Sequence, residues 1–146
     1  MSAPTPKEII ELSKERGYLA KQLYVIFTTP ANGIAPVLEN LQRHLDYQES
    51  LEQRGVKFAA GPHWSDDEQR WDGDGMVVVR AGSLAEAEAI AKDDPMHASG
   101  ARRYRVRPWL VNEGTMSIKL NFCQRKVRAC MSPLRAPSQR LFGLPK

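Results

Sequence analysis

Three side chains that can exchange protons are the first candidates for chemistry in this sequence: His44, Asp94 and His97. A carboxylate that accepts a hydrogen bond from one imidazole nitrogen fixes the tautomer of the ring and raises the basicity of the other nitrogen. That second nitrogen can then move a proton on a bound small molecule. His44 falls within a predicted helix, and Asp94 and His97 follow the next one. The three can meet only if the two helices lie side by side.

Each of these residues also has a plain structural interpretation. Asp94 precedes Pro95 and can serve only to end its helix, and His44 can lie at the edge of an amphipathic helix. His97 can be a second acid or base, a substrate anchor, or a loop residue without a role. Two histidines and one carboxylate also make a conceivable metal site. Because no two of these ligands share a helix turn, we expect no metal site.

Basic and aromatic residues later in the chain are candidates for substrate binding. Arg103 and Arg105 alternate onto one face of a predicted strand, and a guanidinium can hold a carboxylate through two hydrogen bonds. Trp109 and Trp64 can form the walls of an aromatic pocket. The alternatives are a solvated face for the arginines and a core or interface position for the tryptophans.

The order of predicted elements determines how these residues can be positioned. A short leading helix begins after Thr5 and ends at Gly17. Strands are predicted at 23–28, 56–60, 76–80 and 103–107, helices at 36–54 and 83–92, and a further edge strand at 115–122. This β-α-β-β-α-β order predicts an α+β, ferredoxin-like split sandwich, with two helices on one face of a four-stranded antiparallel sheet. Because the other face has no helices, we expect a symmetric homodimer that packs two sheets together.

Charge and cysteine placement narrow the class of protein. Six of the 21 basic residues and none of the 17 acidic residues lie between Cys123 and Lys146. We interpret this segment as a solvated, flexible tail rather than a nucleic-acid binding site, because it lacks interleaved aromatic residues. Cys123 and Cys130 form no C-x-x-C pair and have no zinc spacing, which is typical of a reducing compartment. No apolar run resembles a signal peptide or a membrane span, so we expect a cytoplasmic protein.

The expected organisation is therefore an N-terminal extension over 1–21, one domain over 22–122 and the tail over 123–146. The aspartates between Ser65 and Gly75 lack the ligand spacing of an EF-hand and predict a solvated hairpin loop. The sequence also lacks a nucleotide-binding loop and a nucleophile elbow.

Several stretches together resemble the YCII-related proteins, a family of small dimeric α/β-barrel proteins. The most specific ones are Asp94-Pro95-Met96-His97, Pro108-Trp109 and Asn112-Glu113-Gly114. Weaker matches lie at 23–27, 60–62, 75–79 and 83–87. The resemblance implies a dimer with a pocket in each subunit, and a His–Asp pair at His44 and Asp94.

The wider superfamily contains muconolactone-isomerase-like enzymes and a dehydrochlorinase of chlorinated hydroxyhydroquinones. Our first hypothesis is a cofactor-free isomerase or lyase that acts on a small, anionic, ring-derived metabolite, as in aromatic degradation. In this hypothesis His44 is the base and Asp94 its orienting partner, while His97 and an arginine bind the substrate. The alternative is a non-catalytic dimeric module that binds a small ligand or a partner protein.

Overall fold

The structure, a computed structural model of the protein, describes residues 2–116, 118–121 and 126–129. The chain divides into two compact units, Met1–Asn112 and Glu113–Lys146. The elements of the first unit are α1 (Pro6–Glu15), β1 (Lys21–Pro30), α2 (Ala35–Glu39), α3 (Leu41–Gln53), β2 (Lys57–Pro62), β3 (Gly75–Val79), α4 (Leu84–Asp93), α5 (Pro95–Ala98) and β4 (Arg102–Val111). The second unit contains the antiparallel pair β5 (Ile118–Asn121) and β6 (Lys126–Ala129).

A four-stranded antiparallel sheet in the order β2-β3-β1-β4 forms the first unit. This order confirms the predicted ferredoxin-like α+β fold. One sheet face packs on α4, where small side chains allow the helix to approach closely. The buried residues of this layer are Tyr24, Ile26, Val77, Val79, Ala87, Ala91 and Val106. Their alternation along each strand leaves every second side chain on the opposite face.

The helix predicted over 36–54 is instead two helices that meet at Asn40. The Asn40 side chain donates from Nδ2 to the carbonyl oxygen of Pro36 at 2.9 Å, and its backbone has φ −98° and ψ 0°. A short amide side chain that bonds the backbone four residues earlier competes with the regular helix ladder. The break makes Leu41 the first residue of α3, the helix that carries His44.

The strand predicted to end at Arg107 continues through Pro108 to Val111. β4 is an edge strand that pairs only with β1 in the sheet. Proline is tolerated on an edge strand, where its missing N–H removes no bond to a second neighbour. The sequence rule that proline ends a strand therefore fails here.

The strand predicted over 115–122 forms as β5, but its predicted place at the edge of this sheet is wrong. Ile118–Asn121 pairs with Lys126–Ala129 in a separate two-stranded sheet. Apart from Lys126–Ala129, the predicted flexible tail over 123–146 lies outside the described residues. None of the helices in the described ranges is both long and apolar enough to cross a membrane.

The loop between β2 and β3, predicted as a hairpin loop, is held against the end of β1. Trp71 Nε1 donates to the carbonyl oxygen of Asp74 at 2.8 Å. Gly73 has φ +100°, and a Cβ there would lie 2.6 Å from Pro30 Cγ and 3.0 Å from Ile34 Cδ1. A residue without a side chain is thus needed for the loop to pack on these two residues.

Substituting Gly73→Ala will destabilise the protein by roughly 2 to 4 kcal/mol, because strained backbone and overpacking add. Gly33→Ala is the matched control, since Gly33 has φ +74° but its Cβ would meet nothing within 4 Å. The control should lose only about 1 kcal/mol from backbone strain. Urea unfolding measures both values, and equal losses in the two variants would contradict the packing argument.

Candidate functional site

A cavity of about 410 Å³ opens beside α3. Its walls come from α3, β2, the loop that follows β2 and the start of β3. Most of the lining side chains are apolar or aromatic, and three carry polar groups, His44, Gln48 and Lys57. The full lining is Leu41, His44, Leu45, Gln48, Lys57, Ala60, Gly61, Pro62, Trp64, Trp71, Met76 and Val77.

His44 is held in one orientation by Asp94. Its Nδ1 lies 2.9 Å from Asp94 Oδ1 and 2.8 Å from Oδ2. An ionised carboxylate only accepts hydrogen bonds, so Nδ1 carries the proton and donates. In the neutral ring, Nε2 is then the unprotonated nitrogen. The His44 side chain is 13% exposed and Asp94 is 3% exposed, so water competes little for this hydrogen bond.

Asp94 receives two further donors from different elements. Gln48 Nε2 donates to Oδ2 at 3.1 Å, and the backbone N–H of Met96 donates to Oδ1 at 2.9 Å. The second bond is an N-cap: Pro95 forces Asp94 into an extended backbone, and its side chain then caps α5. The Asp94 side chain thus both caps α5 and accepts the hydrogen bond from His44.

Two opposing effects act on the pKa of Asp94. Burial raises it, and the hydrogen bond and charge of His44, followed by the Met96 N–H, lower it more. The net result is a pKa below the ordinary value for aspartate. Asp94 is therefore a carboxylate at neutral pH, as the orientation of His44 requires.

His97 lies near this pair, but it is bonded elsewhere. Its Nδ1 donates to the carbonyl oxygen of Ala91 at 2.6 Å, and Nε2 accepts from Thr28 Oγ1 at 3.0 Å. The ring also lies 4.4 Å from the Tyr104 ring, centroid to centroid. His97 is not among the residues that line the cavity. Both nitrogens of this imidazole are occupied by the protein itself.

Arg103, Arg105 and Trp109 lie on the sheet face opposite α4. Their partners on β1 are Thr29, Phe27 and Leu23, and strand alternation turns all these side chains away from the α4 face. Arg103 and Arg105 line a different cavity, of about 340 Å³. The structure therefore does not bring the predicted substrate-binding residues to His44.

Other cavity residues were not predicted by the sequence. Gln48 could have been predicted from the sequence, because it lies one helical turn after His44 and so on the same helix face. No sequence pattern indicates Lys57 or Trp71, since their positions depend on strand register and on loop packing. Within the described part of the chain, no group of three or more His, Cys, Asp or Glu residues is placed to hold a metal ion.

The chain is similar to known proteins in sequence and in fold. The family model of the YCII-related domain matches residues 22–110. None of the curated proteins compared with the chain matches it. Among solved structures, the chain is similar to 5-chloro-2-hydroxyhydroquinone dehydrochlorinase from Burkholderia phenoliruptrix, in a complex with 2,5-dihydroxybenzoquinone. The two are 22% identical with a TM-score of 0.50, over 60% of this chain and 92% of that chain. At this identity the likeness supports the fold alone.

The folded protein will show a pKa for His97 below 6.5, because burial lowers it more than the bond to Ala91 raises it. As the pH falls, the unfolded chain then takes up this proton before the folded chain does. The free energy of unfolding should therefore decrease as the pH falls below about 6.5. NMR titration of the ring nitrogens gives the pKa, and urea unfolding of His97→Gln should show a weaker pH dependence. An imidazole pKa at or above 6.5 would contradict this.

Proposed function

The chain belongs to the YCII-related family, and from that membership together with the site geometry we propose that it is a small-molecule enzyme of proton-transfer chemistry. One observation carries the proposal: an imidazole oriented by a buried carboxylate lines an apolar cavity. His44 is the base, and Asp94 holds its tautomer and stabilises the imidazolium once it forms. This assignment uses His44 in the cavity wall and its hydrogen-bonded partner Asp94.

The cavity supports a ring-shaped substrate. Its volume of about 410 Å³ lies within the range typical of small-molecule sites. Trp64 and Trp71 supply flat apolar walls, against which a ring can stack. The dehydrochlorinase with the similar fold is named for a chlorinated hydroxyhydroquinone and was solved with a dihydroxybenzoquinone. We therefore favour elimination of HX or isomerisation of a substituted six-membered ring.

The chemistry can be written on the atoms of His44. In an elimination, Nε2 takes a proton from the substrate, and the electrons of the broken bond form a new double bond. The halide leaves with the electrons of its bond to carbon. In an isomerisation, the same nitrogen returns the proton at another atom of the ring. Each route needs an unprotonated Nε2 at the start, and in the neutral ring the Nδ1–H···Asp94 bond selects that tautomer.

We assign His97 a supporting role in this proposal. Its bonds to Thr28 and Ala91 tie α5 and the end of α4 to β1. It thereby fixes the segment that contains Asp94, and it does not contact the substrate. Arg103, Arg105 and Trp109 likewise stay outside the substrate site, because they face the other side of the sheet.

Replacing His44→Ala will lower turnover by roughly 10²- to 10⁴-fold, the usual contribution of a general base. Asp94→Asn should lower it by about 10- to 100-fold, because the ring loses its orienting carboxylate. His63→Ala is the matched control, since His63 is exposed and does not line the cavity. Halide release from chlorinated hydroxyhydroquinones and absorbance changes with related quinones are the assays.

Full activity in His44→Ala would overturn the assignment of the base. A wild-type protein that binds such rings but turns none of them over would favour the non-catalytic binding module instead. Calorimetric titration of the ring compounds distinguishes these two results, because it reports binding without turnover.

We also propose that the protein is a homodimer through the sheet face opposite α4. Phe27 and Trp109 are 40% and 43% exposed on this face and line the same surface groove, and exposed apolar residues that lie together are typical of an interface. Trp109→Glu should then give a monomer by light scattering. Leu38→Glu, at a 53% exposed position of α2, should leave the dimer intact. A wild-type monomer, or dimers in both variants, would contradict the proposal.

A further inference from the structure

We propose that Lys57 is the anion anchor of the cavity, so that the site selects a flat ring carrying a negative charge. The inference rests on the proposed small-molecule site and names the class of its ligand. Lys57 takes over the role for which the sequence offered Arg103 and Arg105. Its position, its partner and the chemistry of the surrounding walls all support this assignment.

A break in strand register directs Lys57 into the cavity. Lys57 is opposite Val79 and Ala59 is opposite Val78, so Phe58 is an extra residue in β2. Regular alternation would place Lys57 and Ala59 on one face; with the extra residue, Lys57 shares its face with Ala60 instead. Both Lys57 and Ala60 line the cavity. Bulges of this kind are frequent beside active sites, where they re-aim a side chain.

The charge of Lys57 has little compensation from the cavity itself. Among the cavity-lining residues in the described part of the chain, Lys57 is the only lysine or arginine, and none is an aspartate or glutamate. The Lys57 side chain is 16% exposed, and its Nζ lies 2.9 Å from Glu52 Oε2. Glu52 is itself 71% exposed, so its carboxylate reaches Lys57 from the solvent. Such an exposed partner contributes little stability and can be displaced by an anion that enters the cavity.

The walls define the rest of the ligand. Trp64 and Trp71 offer apolar surface to a ring, and His44 offers a nitrogen that accepts a proton. An ammonium in the wall of an apolar cavity favours a carboxylate or an ionised ring oxygen, because a charged hydrogen bond is strongest where water is displaced. The predicted ligand is thus an aromatic or quinone-like anion with an acidic proton within reach of His44.

The test compares anionic six-membered rings with a neutral one by calorimetric titration. The probes are 2,5-dihydroxybenzoate for a carboxylate, 2,5-dihydroxybenzoquinone for ionised ring oxygens, and hydroquinone as the neutral reference. Lys57→Met should weaken binding of an anionic probe roughly tenfold or more, while hydroquinone changes by less than about twofold. Comparing the first two probes shows which kind of anion the site prefers.

Two further variants separate lost charge from lost structure. Lys57→Arg keeps the charge and should keep the preference for anions. Glu52→Gln leaves Lys57 in place and removes its competing partner, so anion binding should become a few-fold tighter. Anion affinity unchanged in Lys57→Met, equal losses for hydroquinone, or a wild-type protein without preference for anions would each overturn the proposal.

His44→Gln distinguishes this inference from the proposed reaction. If Lys57 is the anchor, this variant still binds the anionic probes in preference to hydroquinone, whether or not turnover depends on His44. Loss of turnover with retained anion preference supports both assignments. If His44→Gln keeps both turnover and the preference for anions, His44 is not the base and Lys57 is still the anion anchor.

Discussion

The structure around the site depends on a buried carboxylate. Asp94 is 3% exposed at its side chain and is bonded by His44, Gln48 and the Met96 N–H. A buried charge is costly unless hydrogen-bond donors surround it. These three groups must therefore converge on the Asp94 carboxylate for it to be ionised in the folded protein. They belong to α3 and to the start of α5, which follows α4. One ionic centre thereby ties two helical segments together and aims the His44 ring.

The sheet decides which other residues can take part. Alternation along β4 places Arg102, Tyr104 and Val106 on the side of α4, and Arg103 and Arg105 on the other side. Arg102 is 5% exposed, and its guanidinium lies 5.7 Å from the centre of the Trp71 ring. It supports a wall of the cavity through a cation–π contact. Neighbouring arginines on one strand thus have unrelated surroundings.

The two histidines flanking Asp94 show how surroundings divide residues of one type. His44 uses one nitrogen on Asp94 and lines the cavity. His97 uses both nitrogens on protein groups, Ala91 and Thr28. An imidazole with both nitrogens occupied cannot exchange a proton with a ligand without first breaking a bond. This difference, rather than proximity to Asp94, separates a candidate base from a residue that holds the backbone.

Local sequence patterns determined much of the secondary structure and the order of its elements. Hydrophobic alternation and capping residues were enough to predict the four strands and the order β-α-β-β-α-β, an arrangement in which His44 and Asp94 can meet. The resemblance of the 94–97 stretch and its neighbours to the YCII-related proteins named the same pair. The break at Asn40, the passage of β4 through Pro108 and the separate β5–β6 pair were decided by tertiary structure. So were the positions of Lys57 and Trp71 in the cavity wall. Periodicity reports which face of its own element a residue occupies. It contains no information about register between strands or about what a loop packs on, and those distant contacts decide which side chains share a cavity.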